Sequence, residues 1–301
     1  PLSDLGGWLG SEKKDSILTG TARRFLLADS QGKVVLYFRD ETDGQYYYCV
    51  LSETEEDQFH ATASEFEPNG AVFAFERPEF YGTLKYDVMI LPDVPNMNRY
   101  EAENPLEHLQ EGEQEIILRA LQFNPHPVSS YRSADALVIL EGDDQLRILD
   151  NGTVEFQSQE TEQIRYPIRS NDLESWVEAT QKLFMDVVAD RCGEAVPYLV
   201  DVNTRSDGSV EISYGYRLNG APVQIFPQGY AAQFIIQNDS IRHFTIHVRK
   251  YTSTDEKVVI LPEKQAAAVV KVLGQEGKEL LLVYPDSGGT LRISASWVTH
   301  E

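Results

Sequence analysis

Residues 210–218, Val210-Glu211-Ile212-Ser213-Tyr214-Gly215-Tyr216-Arg217-Leu218, alternate apolar residues with polar or small ones at every step. Successive side chains of a strand point to opposite faces, so Val210, Ile212, Tyr214, Tyr216 and Leu218 share one face and the run is predicted to be a half-buried strand. Asp207-Gly208 and Asn219-Gly220 bracket it with residues that tolerate the positive φ of a tight reversal. The pattern resumes after Pro222, with Tyr230, Ala232, Phe234 and Ile236 opposed to Gln233 and Gln237. Asn238-Asp239 then turns the chain into residues 241–250. Residues 207–251 therefore predict four antiparallel strands with one apolar face that must be covered.

The cover is legible just upstream. Leu173, Trp176, Val177, Thr180, Leu183, Phe184, Val187 and Val188 recur at steps of three and four, the spacing of an amphipathic helix. Asn171 with Glu174 fits a capping box at its start, and Cys192-Gly193 predicts its end. A smaller version precedes it: Ile116, Ile117, Ala120 and Leu121 stripe a helix over 113–123, which Asn124-Pro125 stops, and strands follow at 136–140, 145–149 and 153–157. A last helix over 262–273 and strands at 279–284 and 290–294 close the chain.

Toward the N-terminus, β-rich runs occupy 24–28, 33–39, 45–51, 71–76 and 85–91, an acidic stretch over 52–66 suits a short helix or loop, and residues 92–105 read as a linker. The expected class is α+β, with antiparallel β-meanders each packed on an amphipathic helix. The expected division is a tether over 1–21, an N-terminal β-rich domain over 22–104, a central helix-plus-meander domain over 105–170, and a C-terminal helix-plus-antiparallel-sheet domain over 171–301.

Composition narrows the function. The 301 residues carry 26 Lys and Arg against 48 Asp and Glu, a net charge of -22 spread along the chain, which would repel nucleic acid and other polyphosphates. An anionic membrane surface is disfavoured on the same ground, since it recruits polybasic segments. Cys49 and Cys192 fall in segments assigned to different domains and read as buried or unpaired thiols rather than a disulfide framework. No apolar run reaches the roughly 20 residues that span a bilayer. The chain opens at Pro1 without an initiator Met, so a trimmed product with a signal or anchor helix upstream is expected.

His243 and His247 form an i, i+4 pair, but on a strand four residues span about 13 Å, too far to chelate one ion. Strand alternation places both, with Ile241, Thr245 and Arg249, on a solvated polar face. Glu53, Glu55, Glu56 and Asp57 lack the spaced ligands and Gly of a Ca2+ loop and read as a solvated acidic segment. The sequence has no Gly-x-Ser-x-Gly, no Walker pattern and no Gly-x-Gly-x-x-Gly after a strand, and Asp286-Ser287-Gly288-Gly289 reads as a hairpin turn. Three consecutive tyrosines, Tyr46, Tyr47 and Tyr48, oblige at least one ring to point away from the buried side of their strand, and Phe80, Tyr81 and Tyr86 follow; exposed aromatics of this kind favour partner interfaces. The residues thus assign no catalytic, cofactor-binding or metal site.

The C-terminal part, residues 113–301, resembles the YycH and YycI families of Gram-positive bacteria. The resemblance is carried by Ala120-Leu121-Gln122-Phe123-Asn124-Pro125 with Tyr131-Arg132, and by Tyr214-Gly215-Tyr216-Arg217-Leu218-Asn219-Gly220-Ala221-Pro222-Val223. Leu261-Pro262 with Gln265-Ala266, Val283-Tyr284 and Trp297 complete it. It implies a non-enzymatic, membrane-tethered extracytoplasmic protein that sets the activity of an essential two-component sensor histidine kinase through contacts with the kinase and a partner regulator of the same family, in cell-wall homeostasis. The tethering helix would lie upstream of this chain. Two other readings are an extracytoplasmic binding protein for a small molecule or wall fragment, and a wall hydrolase using two facing carboxylates.

Overall fold

The computed structural model describes residues 22, 25–40, 43–50, 61–65, 67, 70–91, 96–107, 111–159 and 164–300. The chain divides into two compact units, 1–69 and 70–301. In the first, β1 (Phe25–Asp29), β2 (Val34–Arg39) and β3 (Tyr46–Val50) form a three-stranded antiparallel sheet. Alternation puts Leu36 and Phe38 on one face, where they pack with Leu27 and Cys49. Tyr37 and Tyr48 sit opposite each other on the other face, ring centroids 6.1 Å apart.

The second unit begins with a two-stranded ribbon, β4 (Val72–Phe73) and β5 (Met89–Ile90), with the single helical turn α1 (Pro78–Tyr81) between them. Then follow β6 (Met97–Glu103), α2 (Glu111–Ala120), β7 (Ser130–Arg132), β8 (Ala136–Glu141), β9 (Asp144–Leu149), β10 (Thr153–Ser158) and α3 (Leu173–Val188). Next come β11 (Val196–Thr204), β12 (Val210–Leu218), β13 (Ala221–Ile225), β14 (Ala232–Gln237), β15 (Ser240–His247) and β16 (Lys250–Val258). The chain closes with α4 (Glu263–Val272), β17 (Glu279–Asp286), β18 (Leu291–Ile293) and β19 (Ser296–His300). The class is α+β, with more strand than helix.

Eleven strands join one sheet in the order β19-β17-β13-β12-β14-β15-β10-β9-β8-β7, and β11 also pairs with β12. Residues 210–214 pair with β11 and with β14 at once, so those two strands lie on opposite edges of β12. Each pair is antiparallel except β13 with β17, which run parallel. β16, β6 and β18 form a separate three-stranded sheet.

The sequence-predicted face is the core. Ile212, Tyr214, Tyr216, Phe234, Phe244 and Phe156 are buried together with Leu183, Phe184, Val187 and Val188 of α3 and Ile117, Leu118 and Leu121 at α2. Polar atoms of these large rings stay satisfied: the Tyr214 hydroxyl lies 2.8 Å from Thr180 Oγ1, the Tyr216 hydroxyl donates to the His247 carbonyl at 3.0 Å, and the Tyr166 hydroxyl donates to the Leu121 carbonyl. Leaving any of them unmade in this interior would cost the full desolvation of the group.

Several expectations are corrected. Residues 97–103, expected as linker, form β6, in which Met97, Tyr100 and Ala102 are buried and which pairs with both β16 and β18. Asp172, rather than Asn171, caps α3, accepting from the Ser175 N–H at 2.8 Å, so the cap is displaced by one residue and the predicted box with Glu174 does not form. The helix stops at Val188 and the chain turns again before Gly193, whose φ is +64° and where a Cβ would come within 2.2 Å of the Tyr251 carbonyl oxygen. The expected divisions at 104/105 and 170/171 do not coincide with breaks in the sheets, because β10 pairs with β15 and β6 pairs with β16. Among the described residues, no helix is long and apolar enough to cross a membrane.

The 286–289 turn is not the expected hairpin, since β18 pairs with β6 and not with β17, and Asp286 has a different role. Its carboxylate, fully buried, accepts from Arg249 Nε at 2.9 Å and Nη2 at 3.0 Å, from the Tyr251 hydroxyl at 2.8 Å and from the Gly288 N–H at 2.8 Å. Its backbone carbonyl takes the Phe226 N–H at 2.8 Å. Removing one member of a buried pair strands the other charge, so Asp286→Ala is expected to destabilise the protein by about 3–5 kcal/mol in denaturant unfolding, with part of the loss recovered in the Asp286→Ala, Arg249→Met double variant. A loss of less than about 1 kcal/mol would contradict this role for the pair.

Candidate functional site

Two faces of α4 are apolar. Ala266, Ala267 and Val270 pack inward with Tyr81, Leu84, Val88, Ile90 and Leu280, a second small core beside the large one. Val269, Val272 and Leu273 point outward and are 43%, 84% and 62% exposed. The segment leading into the helix adds Val259, almost wholly exposed, and the half-exposed Leu261. Such apolar residues clustered at one place are more informative than the same number scattered singly.

This apolar side of α4 faces β19 across a groove of about 640 Å3, lined by residues that include Gln224, Phe226, Leu261, Val269, Leu273 and Trp297. Two hydrogen bonds hold its ends: Trp297 Nε1 donates to the Leu261 carbonyl at 2.8 Å, and Thr299 Oγ1 donates to Gln275 Oε1 at 2.7 Å. None of the lining residues is charged. Gln224 Oε1 is buried in the wall and has no hydrogen-bond partner among the described residues. A wall of this kind cannot do acid–base work; it can hold an uncharged apolar group.

The groove was only partly legible. The run Val259-Ile260-Leu261 before Pro262, and the apolar set Ala266, Val269, Val270 and Leu273, which is wider than one buried stripe requires, were the available signals. Nothing local announced that β19 would come back beside them.

The residues weighed from sequence are spread over the molecule. His243 is exposed, in a shallow hollow of about 210 Å3 with Arg147, Glu155 and Gln157, and burial followed by the charge of Arg205 holds its pKa below the usual value. His247 corrects the expectation of a solvated face. It is buried, its Nδ1 lies 3.0 Å from Thr153 Oγ1 and its ring 5.7 Å from that of Tyr230, while Nε2 has no partner among the described residues. Arg249, placed on the same face by alternation, is also buried, against Asp286. Alternation separates polar from apolar faces but does not say which polar face another segment will cover. Among the described residues no group of three or more His, Cys, Asp or Glu is placed to hold a metal.

Glu53, Glu55, Glu56 and Asp57 lie outside the described residues. Tyr46, Tyr47 and Tyr48 are all exposed; Tyr47 stacks at 5.9 Å on Phe38 and donates its hydroxyl to Asp43 Oδ2 at 2.6 Å. Phe80 is exposed under the Lys264 ammonium at 4.1 Å, Tyr81 is buried with its hydroxyl donating to Glu263 at 3.3 Å, and Tyr86 is exposed. Cys49 is half-buried; Cys192 is buried as a free thiol, and burial pushes its pKa up.

No family model matches this chain, and no curated protein does. A solved structure of an uncharacterized protein from Eubacterium rectale ATCC 33656 is similar at 14% identity and a TM-score of 0.39, over 68% of this chain and 76% of that one. A likeness this distant carries no functional argument.

The buried imidazole gives the fold a pH dependence. Burial first, and the Arg249 charge second, push the His247 pKa down to about 4 from an ordinary 6.5, while Asp286 opposes the shift. A depressed pKa means that the unfolded chain takes up the proton first. Stability is therefore complete above pH 6.5 and is lost as pH falls toward 4, by roughly 3 kcal/mol between pH 7.5 and 4. Unfolding free energies of the wild type and His247→Asn at both pH values check this; equal pH dependence in the two proteins would contradict it.

Proposed function

We propose that this chain is a non-enzymatic regulator that works through protein contacts, and that the groove between α4 and β19 is where it meets a partner. The observation that carries the binding role is the concentration of exposed Val259, Leu261, Val269 and Leu273 around one uncharged groove. Burying such a surface against a partner is the dominant favourable term in association. The kind of partner comes from the resemblance of residues 113–301 to the YycH and YycI families. On that reading the protein is tethered on the extracytoplasmic face of the membrane by a helix upstream of Pro1. It modulates a two-component sensor histidine kinase, together with a second regulator of the family, and its helices back antiparallel meanders in the YycH and YycI manner.

A second reading, an extracytoplasmic receptor for a small molecule or wall fragment, draws on one observation. The groove volume falls in the range of about 300–1,000 Å3 typical of small-ligand sites.

Pull-down of the kinase extracytoplasmic segment with the full-length protein tests the first reading. Association is expected with the wild type, weakened at least tenfold by Val269→Asp, which puts a charge on an outward-facing position of α4. No association, with kinase output unchanged in a deletion strain, would remove the reading.

A further inference from the structure

We propose that the exposed tyrosine face of the β1–β3 sheet binds a proline-rich peptide segment that carries an acidic residue. This is a second site, in the first unit, and it is independent of what enters the α4–β19 groove.

A hollow of about 360 Å3 lies on that face. Lys33, Val35 and Tyr37 line it from β2 and the residue before it, Tyr48 and Val50 line it from β3, and the β1–β2 turn adds Ser30 and Gln31. Each strand contributes every second residue, the mark of one sheet face rather than an edge. Tyr37 lies opposite Tyr48, and Val35 opposite Val50. The other face carries the buried Leu36 and Phe38, whereas Tyr37, Tyr48 and Val50 stay exposed, Tyr48 by 68%. The two rings, centroids 6.1 Å apart and inclined at 36°, make a continuous aromatic surface with Val35 buried at its foot. Apolar and aromatic side chains gathered in this way mark recognition surfaces.

The chemistry of the lining selects the occupant. A ligand lying on a sheet face cannot join the strand ladder, so its backbone must do without ladder partners. A polyproline II segment meets that condition: it has no internal hydrogen bonds, and its prolines have no N–H to satisfy. It presents ring surface and carbonyl acceptors. The hollow answers with the two tyrosine rings and with donors, the Tyr37, Tyr48 and Ser30 hydroxyls, the Gln31 amide and the Lys33 ammonium, none of which has a hydrogen-bond partner among the described residues. A sugar would bring a donor at every hydroxyl and find no carboxylate in the lining to take it. Lys33 is the one charged residue of the lining, in a chain of net charge -22, so this end is locally complementary to an acid. It stands four residues from Tyr37 along the strand, about 13 Å. A polyproline II segment covers that distance in about four residues at roughly 3.1 Å each, so an Asp or Glu at that remove from the prolines reaches the ammonium. Aromatic-lined surfaces take such segments with little ordering cost, because the helix is already formed.

Calorimetric titration of the whole chain with acetyl-Glu-Ala-Pro-Pro-Ala-Pro-Pro-Ala-Glu-amide tests the site, at physiological ionic strength so that the remaining net charge is screened. The acid at each end serves either chain direction. Saturable binding is expected, lost when Gly replaces every Pro of the peptide, and at least tenfold weaker for Tyr48→Ala, which removes an exposed ring and is expected to unfold like the wild type. A peptide with Gln in place of both Glu residues is expected to bind the wild type several-fold more weakly than the acidic one, and the two are expected to bind Lys33→Met equally. That comparison changes only a flexible surface side chain, so it holds even if Tyr48→Ala folds poorly. No saturation up to about 1 mM, equal binding of the Pro and Gly peptides, or a preference for the acidic peptide that survives in Lys33→Met would overturn the proposal. Binding of a chito-oligosaccharide through Tyr48, with none of the proline peptide, would assign the face to sugars and overturn it as well.

Discussion

A buried guanidinium–carboxylate pair, Arg249 with Asp286, sets where the strands of the second unit meet. Taking both charges out of water is expensive, and the cost is offset in part by the Tyr251 hydroxyl and Gly288 N–H, which donate to Asp286, and by the Gly289 carbonyl, which accepts from Arg249 Nη2, while Arg249 Nη1 is buried without a partner among the described residues. Such a pair is a weak stabiliser and a strict locator, since sliding either strand by one residue would strand a charge. It holds the end of β17 against the start of β16, and the Phe226 N–H bound to the Asp286 carbonyl fixes β13 beside β17 in parallel. That parallel pair lies beside the groove. Gln224 sits opposite Pro285 within it, and β19 pairs with the same β17, so the placement of groove wall and groove edge depends on one buried contact.

Much of the fold was legible because local pattern and tertiary role agree in the middle of the chain. The alternation at 210–218 and the helical stripe at 173–188 each announce one buried face, and the two faces meet, with the Phe184 and Tyr214 rings tilted against each other at 5.2 Å. Legibility fails where pattern is interrupted or where a covering segment comes from far away. β6 is flanked by Pro95-Asn96 and Asn104-Pro105, so its buried Met97, Tyr100 and Ala102 are hidden in a linker signature. β11 is interrupted by Pro197 and by a register shift between Leu199 and Asp201, which break a two-residue period. His247 and Arg249 were read as solvated because their strand alternates correctly; the Tyr230 ring and the 286–289 turn that cover them are remote in sequence.

The same distinction separates the two halves of the candidate site. The apolar residues of α4 and of 259–261 are local features, visible as a stripe too wide for one buried face. The edge of β19 is a consequence of topology and could be located only once β17 and β13 were paired. An apolar groove exposes surface that water solvates poorly, and burying it against a partner is favourable.

Hydrogen–deuterium exchange of the full-length protein, with and without the extracytoplasmic segment of the sensor kinase, tests this account most directly. It predicts slowed exchange concentrated in residues 259–261, 266–275 and 295–300, with the sheet around β12 unchanged. Protection confined to other surfaces, such as the tyrosine-bearing strands β2 and β3, with the α4–β19 groove exchanging at its free rate, would contradict it.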